Sequence, residues 1–313
     1  MIGLICARWH KIRVSALAAA CLALIDLAAP ARAEPVVVKH VQGEITLPAR
    51  PQRVVTLDFT SLETLDALGV PVTGVIGTLL PDHLAKYKDA AYVKAGTLFE
   101  PDYEAINAIK PDLIIVAARS GPKLPELAKI APTIDLTVDE ANYAASALAN
   151  ARTLGRIFGK EAEVEALIGK LEASIAALRT KSATAGKGLI VLTTGGKMSA
   201  YGPVSRFGAV HRDFGFAPAV ESLDKAVHGQ GISFELILKA NPDWLFVIDR
   251  DLAVGRTGQP AAQLLENPLI ARTTAWQKKQ VVYLDPVRWY LVGGGLPSLQ
   301  NCVDQIAQAI EPK

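Results

Sequence analysis

The sequence predicts an α/β chain of two similar lobes, each a parallel sheet covered by helices, with a stiff helix joining them. Three observations lead there: a helix–strand unit used twice, strands alternating with helices on either side of it, and a long proline-free helical stretch between. The first copy of the unit runs from Tyr103 to Asp112, followed by the apolar run Leu113–Ala118 and Arg119. The second runs from Phe234 to Asp243, followed by Trp244–Asp249 and Arg250. Aromatic, Glu, Ile, Pro-Asp and the closing Arg share one register. Each copy reads as a short helix stopped before a proline, then a buried parallel strand. A supersecondary unit repeated far apart in the chain implies matched lobes. An arginine just beyond a strand's C-terminal end stands where open α/β sheets contact ligands; either arginine alone reads as a solvated loop charge, and their pairing brings the ligand-contact reading level with that.

Residues 1–33 read as a secretory signal peptide. Arg8, Lys11 and Arg13 precede an apolar run from Val14 to Ala29, and Ala31-Arg32-Ala33 offers a small-x-small cleavage site. The apolar run is short for a membrane span, and Cys21 lacks the setting of a lipid-modified cysteine. Cleavage removes four of the 33 basic and one of the 31 acidic residues, leaving 29 against 30. That balance excludes a typical nucleic-acid binder, which carries a strong basic excess. Only Cys302 would remain, so no intramolecular disulfide is possible, and its apolar helical setting predicts a buried, inert thiol.

From residue 34 the elements follow in order. Val36–Val41 and Ile45–Leu47 suggest a short hairpin. Arg53–Asp58 reads as a buried strand, with Thr60 or Ser61 capping a helix through Leu62, Leu65 and Leu68 that Gly69 ends. Val70–Ile76 is the next strand, Pro81–Tyr92 a polar surface helix and loop, Leu124–Ile130 a helix, and Pro132–Leu136 the last strand of the lobe, taken to end at residue 155. From Asn142 to Arg179 proline is absent, and Leu167, Leu171, Ile175 and Leu178 recur at helical spacing, with breaks expected at Gly155 and Gly159. Residues 156–182 are the expected connecting helix; Lys160–Thr180 alone would make a rod of roughly 30 Å. The second lobe, 183–313, opens with strand Gly188–Thr194 and a Gly195-Gly196-Lys197 loop without phosphate-loop spacing. A helix before Gly215, a glycine-flanked loop at Val227–Gly231, a strand at Gln280–Leu284 and a final helix over Leu299–Ile310 complete it. No glycine-elbow serine, metalloprotease helix or supported Cys-His pair is present, so nothing calls for an enzyme.

Ser205-Arg206-Phe207-Gly208, Val227-His228-Gly229, Val247–Arg250 and Tyr283–Leu291, together with Val54–Asp58, occur in order across the chain after residue 33. In this combination the sequence resembles the periplasmic ferric-siderophore-binding proteins of ABC importers, nearest the catecholate branch. The resemblance implies Rossmann-like lobes, a long connecting helix, a ligand cleft between the lobes, a periplasmic monomer and no cofactor of its own. It implies Arg119, Arg206 and Arg250 as contacts for a ferric siderophore. Fixed, planar cations suit a multiply anionic catecholate complex, and they stack on its rings. His228 and Tyr290 match residues that complete the iron octahedron when a siderophore offers only four donors; phenolate is a hard ligand suited to ferric iron, and neutral imidazole can fill the remaining position. Trp289, beside Tyr290, is the expected binding-site reporter. Glu104 and Glu235 match a pair that docks onto the inner-membrane permease, although a helix start favours a carboxylate in any case. Haem or cobalamin on the same scaffold is the alternative cargo. A divalent-metal site from His83, His211 and His228 lacks clustered acidic partners.

Overall fold

A computed structural model describes residues 35–221, 223 and 228–311. The expected signal peptide and Val227 lie outside the described residues. The chain begins with an antiparallel hairpin, β1 (Val36–His40) and β2 (Gly43–Leu47). The first lobe follows: β3 (Val54–Thr56), α1 (Phe59–Ala67), β4 (Gly74–Val75), β5 (Val93–Lys94), α2 (Tyr103–Ile109), β6 (Leu113–Val116) and β7 (Thr133–Asp135). Its five strands are all parallel, in the order β5-β4-β3-β6-β7. β3 and β6 are apolar on both faces because helices cover both sides.

Two long helices come next, α3 (Tyr143–Phe158) and α4 (Glu161–Ser182), separated by Gly159 in the left-handed conformation. Gly155, expected as a break, lies inside α3. A Cβ there would stand 3.0 Å from Val164 Cγ2, so the missing side chain lets α3 and α4 pack closely. The buried stripe of α4 is Val164, Ile168, Leu171 and Leu178; Leu167, expected in it, is exposed.

The second lobe contains β8 (Lys187–Thr194), β9 (Lys197–Tyr201), β10 (Ala217–Pro218), β11 (Gln230–Ile232), α5 (Phe234–Ala240), β12 (Trp244–Asp249), α6 (Arg250–Ala253) and β13 (Val281–Tyr283). Its sheet has the order β11-β9-β8-β12-β13, with β10 beside β8. β8, β10, β12 and β13 pair in parallel, whereas β9 pairs antiparallel with both β8 and β11, because the tight Gly195-Gly196 turn sends the chain straight back after β8. A π-helix over Val287–Val292 and the terminal helix α7 (Leu296–Ala309) close the chain.

The repeated unit has one physical design in both lobes. Lys110 and Asn241 end α2 and α5 in the left-handed conformation, immediately before Pro111 and Pro242. The aspartate after each proline then pins the neighbouring central strand. Asp112 accepts from Arg53 N at 2.8 Å, ahead of β3, and Asp243 accepts from Lys187 N at 2.8 Å, at the start of β8. Each closing arginine is thereby carried to the far end of its strand.

One apolar core runs through both lobes. Leu62 and Leu65 of α1, Leu148 and Leu154 of α3, Leu171 of α4, Phe246 of β12 and Leu299 and Val303 of α7 belong to the same buried cluster. α7 packs on α4, α1 and α3, so the last helix of the second lobe rests against the first. Cys302 on that helix is buried, and burial raises its thiol pKa well above the usual value.

Candidate functional site

The lobes face each other across a cleft with a cavity volume of about 100 Å³. It is walled by segments that follow β3, β6 and β7 on one side, and by Arg206 and the π-helix on the other. Facing strand ends expose backbone groups and helix starts, which makes this the usual ligand position in α/β folds.

After β3, Asp58 rather than Thr60 or Ser61 caps α1. Its Oδ1 accepts from Thr60 N at 3.2 Å and its Oδ2 from Ser61 N at 2.6 Å. Burial raises the pKa of this carboxyl, against those bonds. Asp58 also lines the cleft, a role that the sequence signals only as an N-cap type at a strand end.

After β6 the backbone turns sharply at Ala118, a non-glycine residue at φ 44°, held by Ala118 N donating to Thr137 Oγ1 at 2.7 Å. This turn carries Arg119 across to the other lobe. Its Nη2 donates to the Tyr290 carbonyl at 2.9 Å, and Nη1 lies 3.5 Å from the Leu291 carbonyl. Arg206 Nη2 donates to the same Tyr290 carbonyl at 3.0 Å. Arg250, at the end of β12, donates from Nε to Tyr290 Oη at 2.8 Å and from Nη1 to Thr194 Oγ1 at 3.3 Å. The guanidinium carbons of Arg119, Arg206 and Arg250 stand 5.4, 4.7 and 5.4 Å from the Tyr290 ring centroid. Three cations from distant chain segments therefore surround one half-buried tyrosine.

The charge is poorly compensated. Among the described residues neither Arg119 nor Arg206 pairs with a carboxylate, and Arg250 has only Asp251, at 3.9 Å. Burial and the charge of Arg206 lower the pKa of Arg119 and outweigh the opposing effects of Tyr290 and Asp58, the mark of crowded cations. Burial alone would raise the pKa of the Tyr290 phenol. The Arg250 hydrogen bond and the charges of Arg250, Arg206 and Arg119 outweigh it, so the phenol lies below the ordinary tyrosine value. Such a site favours an anion, and it offers an oxygen already inclined to ionise.

Trp289 lines the cleft but is buried, edge-on to Phe214 at 6.2 Å between centroids, and its indole Nε1 has no hydrogen-bond partner among the described residues. His228 stands exposed on the turn before β11, outside the residues that line the cleft. Glu104 and Glu235 are exposed in the first turns of α2 and α5, one on each lobe. His83 and His211 are engaged elsewhere: His83 Nε2 lies 2.8 Å from Glu63, and His211 is buried with Nδ1 3.0 Å from the Phe216 carbonyl. Among the described residues no group of three or more His, Cys, Asp or Glu could hold a metal ion. Sequence reasoning missed Tyr143 and Glu140 in the cleft wall; neither stands in a recognisable motif.

Two α/β lobes, a helical connector and one cleft at the facing strand ends define the bilobed binding-protein class. The chain belongs to the periplasmic binding protein family, whose model matches residues 54–287. It is 41% identical over 283 residues to the petrobactin-binding protein YclQ of Bacillus subtilis, covering 89% of each chain. It is 32% identical to the ferric-anguibactin-binding protein FatB of Vibrio anguillarum, covering 88% of each. The crystal structure of the periplasmic catecholate-siderophore-binding protein VctP from Vibrio cholerae matches with a TM-score of 0.84 at 36% identity, over 88% of this chain and all (100%) of that one.

Proposed function

We propose that this protein is an exported receptor that captures a ferric catecholate siderophore in its cleft and delivers it to an ABC importer, without catalysis. One observation carries the reading: three guanidinium groups, short of carboxylate partners, converge on Tyr290 from both lobes. A ferric catecholate complex supplies the missing negative charge, and its rings can lie against the arginines. The relatives named for petrobactin, anguibactin and catecholate siderophores support an iron-chelate cargo. Tyr290 would give the iron a phenolate oxygen where the siderophore leaves a coordination position open. His228 would supply the second donor by turning in from its exposed loop when cargo binds. Glu104 and Glu235, exposed on matching helices, would meet basic residues of the permease, giving orientation and on-rate more than affinity. A leader cleaved after Ala33 would place the mature chain in the periplasm.

The test is a titration of intrinsic tryptophan fluorescence, reported by Trp289, with ferric complexes of four-donor and six-donor catecholates. Preference for the four-donor complex is expected. Tyr290→Phe and His228→Ala should each reduce it roughly tenfold or more, the scale of a lost charged contact. Equal affinities in wild type and both variants would remove the iron-ligand role. No binding of either complex would remove the receptor reading itself.

A further inference from the structure

The Arg250 side chain, bonded to Tyr290 on the cleft side, is also held from behind. Asp251, 7% exposed, accepts from Gly195 N at 2.6 Å through Oδ2 and from Thr194 Oγ1 at 3.1 Å through Oδ1. Gly195 and Gly196, at φ 53° and 73°, form the two-residue turn between β8 and β9, so the carboxylate is fixed to the tip of that hairpin. A threonine hydroxyl has one proton to give. With that proton directed at Asp251, its lone pairs face Arg250 Nη1 at 3.3 Å. Nε of the same guanidinium is then left for Tyr290 Oη at 2.8 Å, and Nη2 has no protein partner among the described residues.

We infer that Thr194 and Asp251 are positioning residues for the cleft: they orient the Arg250 fork so that Nε holds the Tyr290 oxygen and Nη2 remains open to an anionic guest. The direction of donation runs one way, from Arg250 to Thr194 to Asp251, which fixes the plane of the guanidinium. The part concerning the guest rests on the receptor reading given above; the orientation of Arg250 does not.

The experiment therefore has a cargo-free arm. In the ¹⁵N spectrum of the full chain, the Arg250 Nε–H signal is assigned by its loss in Arg250→Lys, and its exchange with solvent is measured. Thr194→Val keeps the shape and leaves the Gly195–Asp251 bond intact, so the hairpin stays anchored. It should speed exchange roughly tenfold, and Thr194→Ser should restore the wild-type rate. Wild-type exchange in Thr194→Val would overturn the inference. In the second arm the ferric complex of a four-donor bis-catecholate is titrated into wild type, Thr194→Val, Arg250→Ala and the double variant. Thr194→Val should weaken binding roughly tenfold when Arg250 is present and have no effect when it is absent. Equal losses in both backgrounds would show that Thr194 acts independently of Arg250, and would also overturn the inference. Should wild type bind no complex at all, the receptor reading falls and the exchange rates alone decide the positioning role.

Discussion

Tyr290 is a weak acid held among three cations that cannot be deprotonated. Two of the guanidinium groups bond its backbone carbonyl and the third its hydroxyl, so both the residue's position and its acidity come from the same arginines. An ultraviolet difference titration should find one tyrosine ionising below the ordinary value. Tyr290→Phe should abolish that event, and Arg250→Ala should move it upward. Because the folded-state value lies below the unfolded one of about 10, this group stabilises the fold fully above that pH. The contribution disappears as pH falls through the folded value. Arg119 and Arg250 were legible in the sequence because the repeat placed both at strand ends. Arg206 and Tyr290 were visible only through family motifs. Thr194 and Asp251 carry no local pattern, since their role depends on a hairpin tip folding back against the start of α6.

Among the elements, the repeated helix–strand units were the most legible, because a helix stop, a proline and an apolar run are local signals. The antiparallel edge of the second sheet is not legible in the strand pattern, although the Gly195-Gly196 turn that makes it stands in the sequence. The π-helix over Val287–Val292 has no local signal; its Tyr290 and Leu291 carbonyls accept from arginines, and it packs against α7. In the sequence Gly155 reads as a helix break, because glycine marks both chain breaks and close approaches, and only the neighbour distinguishes them. With Val164 Cγ2 3.0 Å from a Cβ at that position, Gly155→Leu should destabilise the protein by about 1–3 kcal/mol in urea unfolding. Trimming the neighbour by Val164→Ala in that background should recover part of the loss.

Across the whole molecule, the lobes are bound into one body by a shared core and by a buried polar junction. Glu63 of α1, 2% exposed, takes Ser298 N at 3.0 Å and Ser298 Oγ at 2.7 Å, with Arg288 Nη1 at 3.4 Å and His83 Nε2 at 2.8 Å. This carboxylate ties the first lobe to the π-helix and α7 that complete the second. Glu63→Ala would leave Ser298 N and the Ser298 hydroxyl without this acceptor, while Arg288 Nε keeps Asp285 at 3.2 Å, and a loss of about 1–3 kcal/mol in denaturant-derived stability is expected. A loss below about 1 kcal/mol, the range of exposed pairs, would mean that the junction contributes little.

By itself the sequence determined the repeated α/β units, the long helices between them and the arginines at two strand ends. Each of these rests on periodicity and backbone chemistry within a few residues. Which residues meet across the cleft was decided by tertiary structure alone. Arg119 and Tyr290 are distant in the chain, and their contact follows from how α3, α4 and α7 pack the lobes together. The acidity of Tyr290 has the same origin: it exists only once burial and three separate charges act on one oxygen.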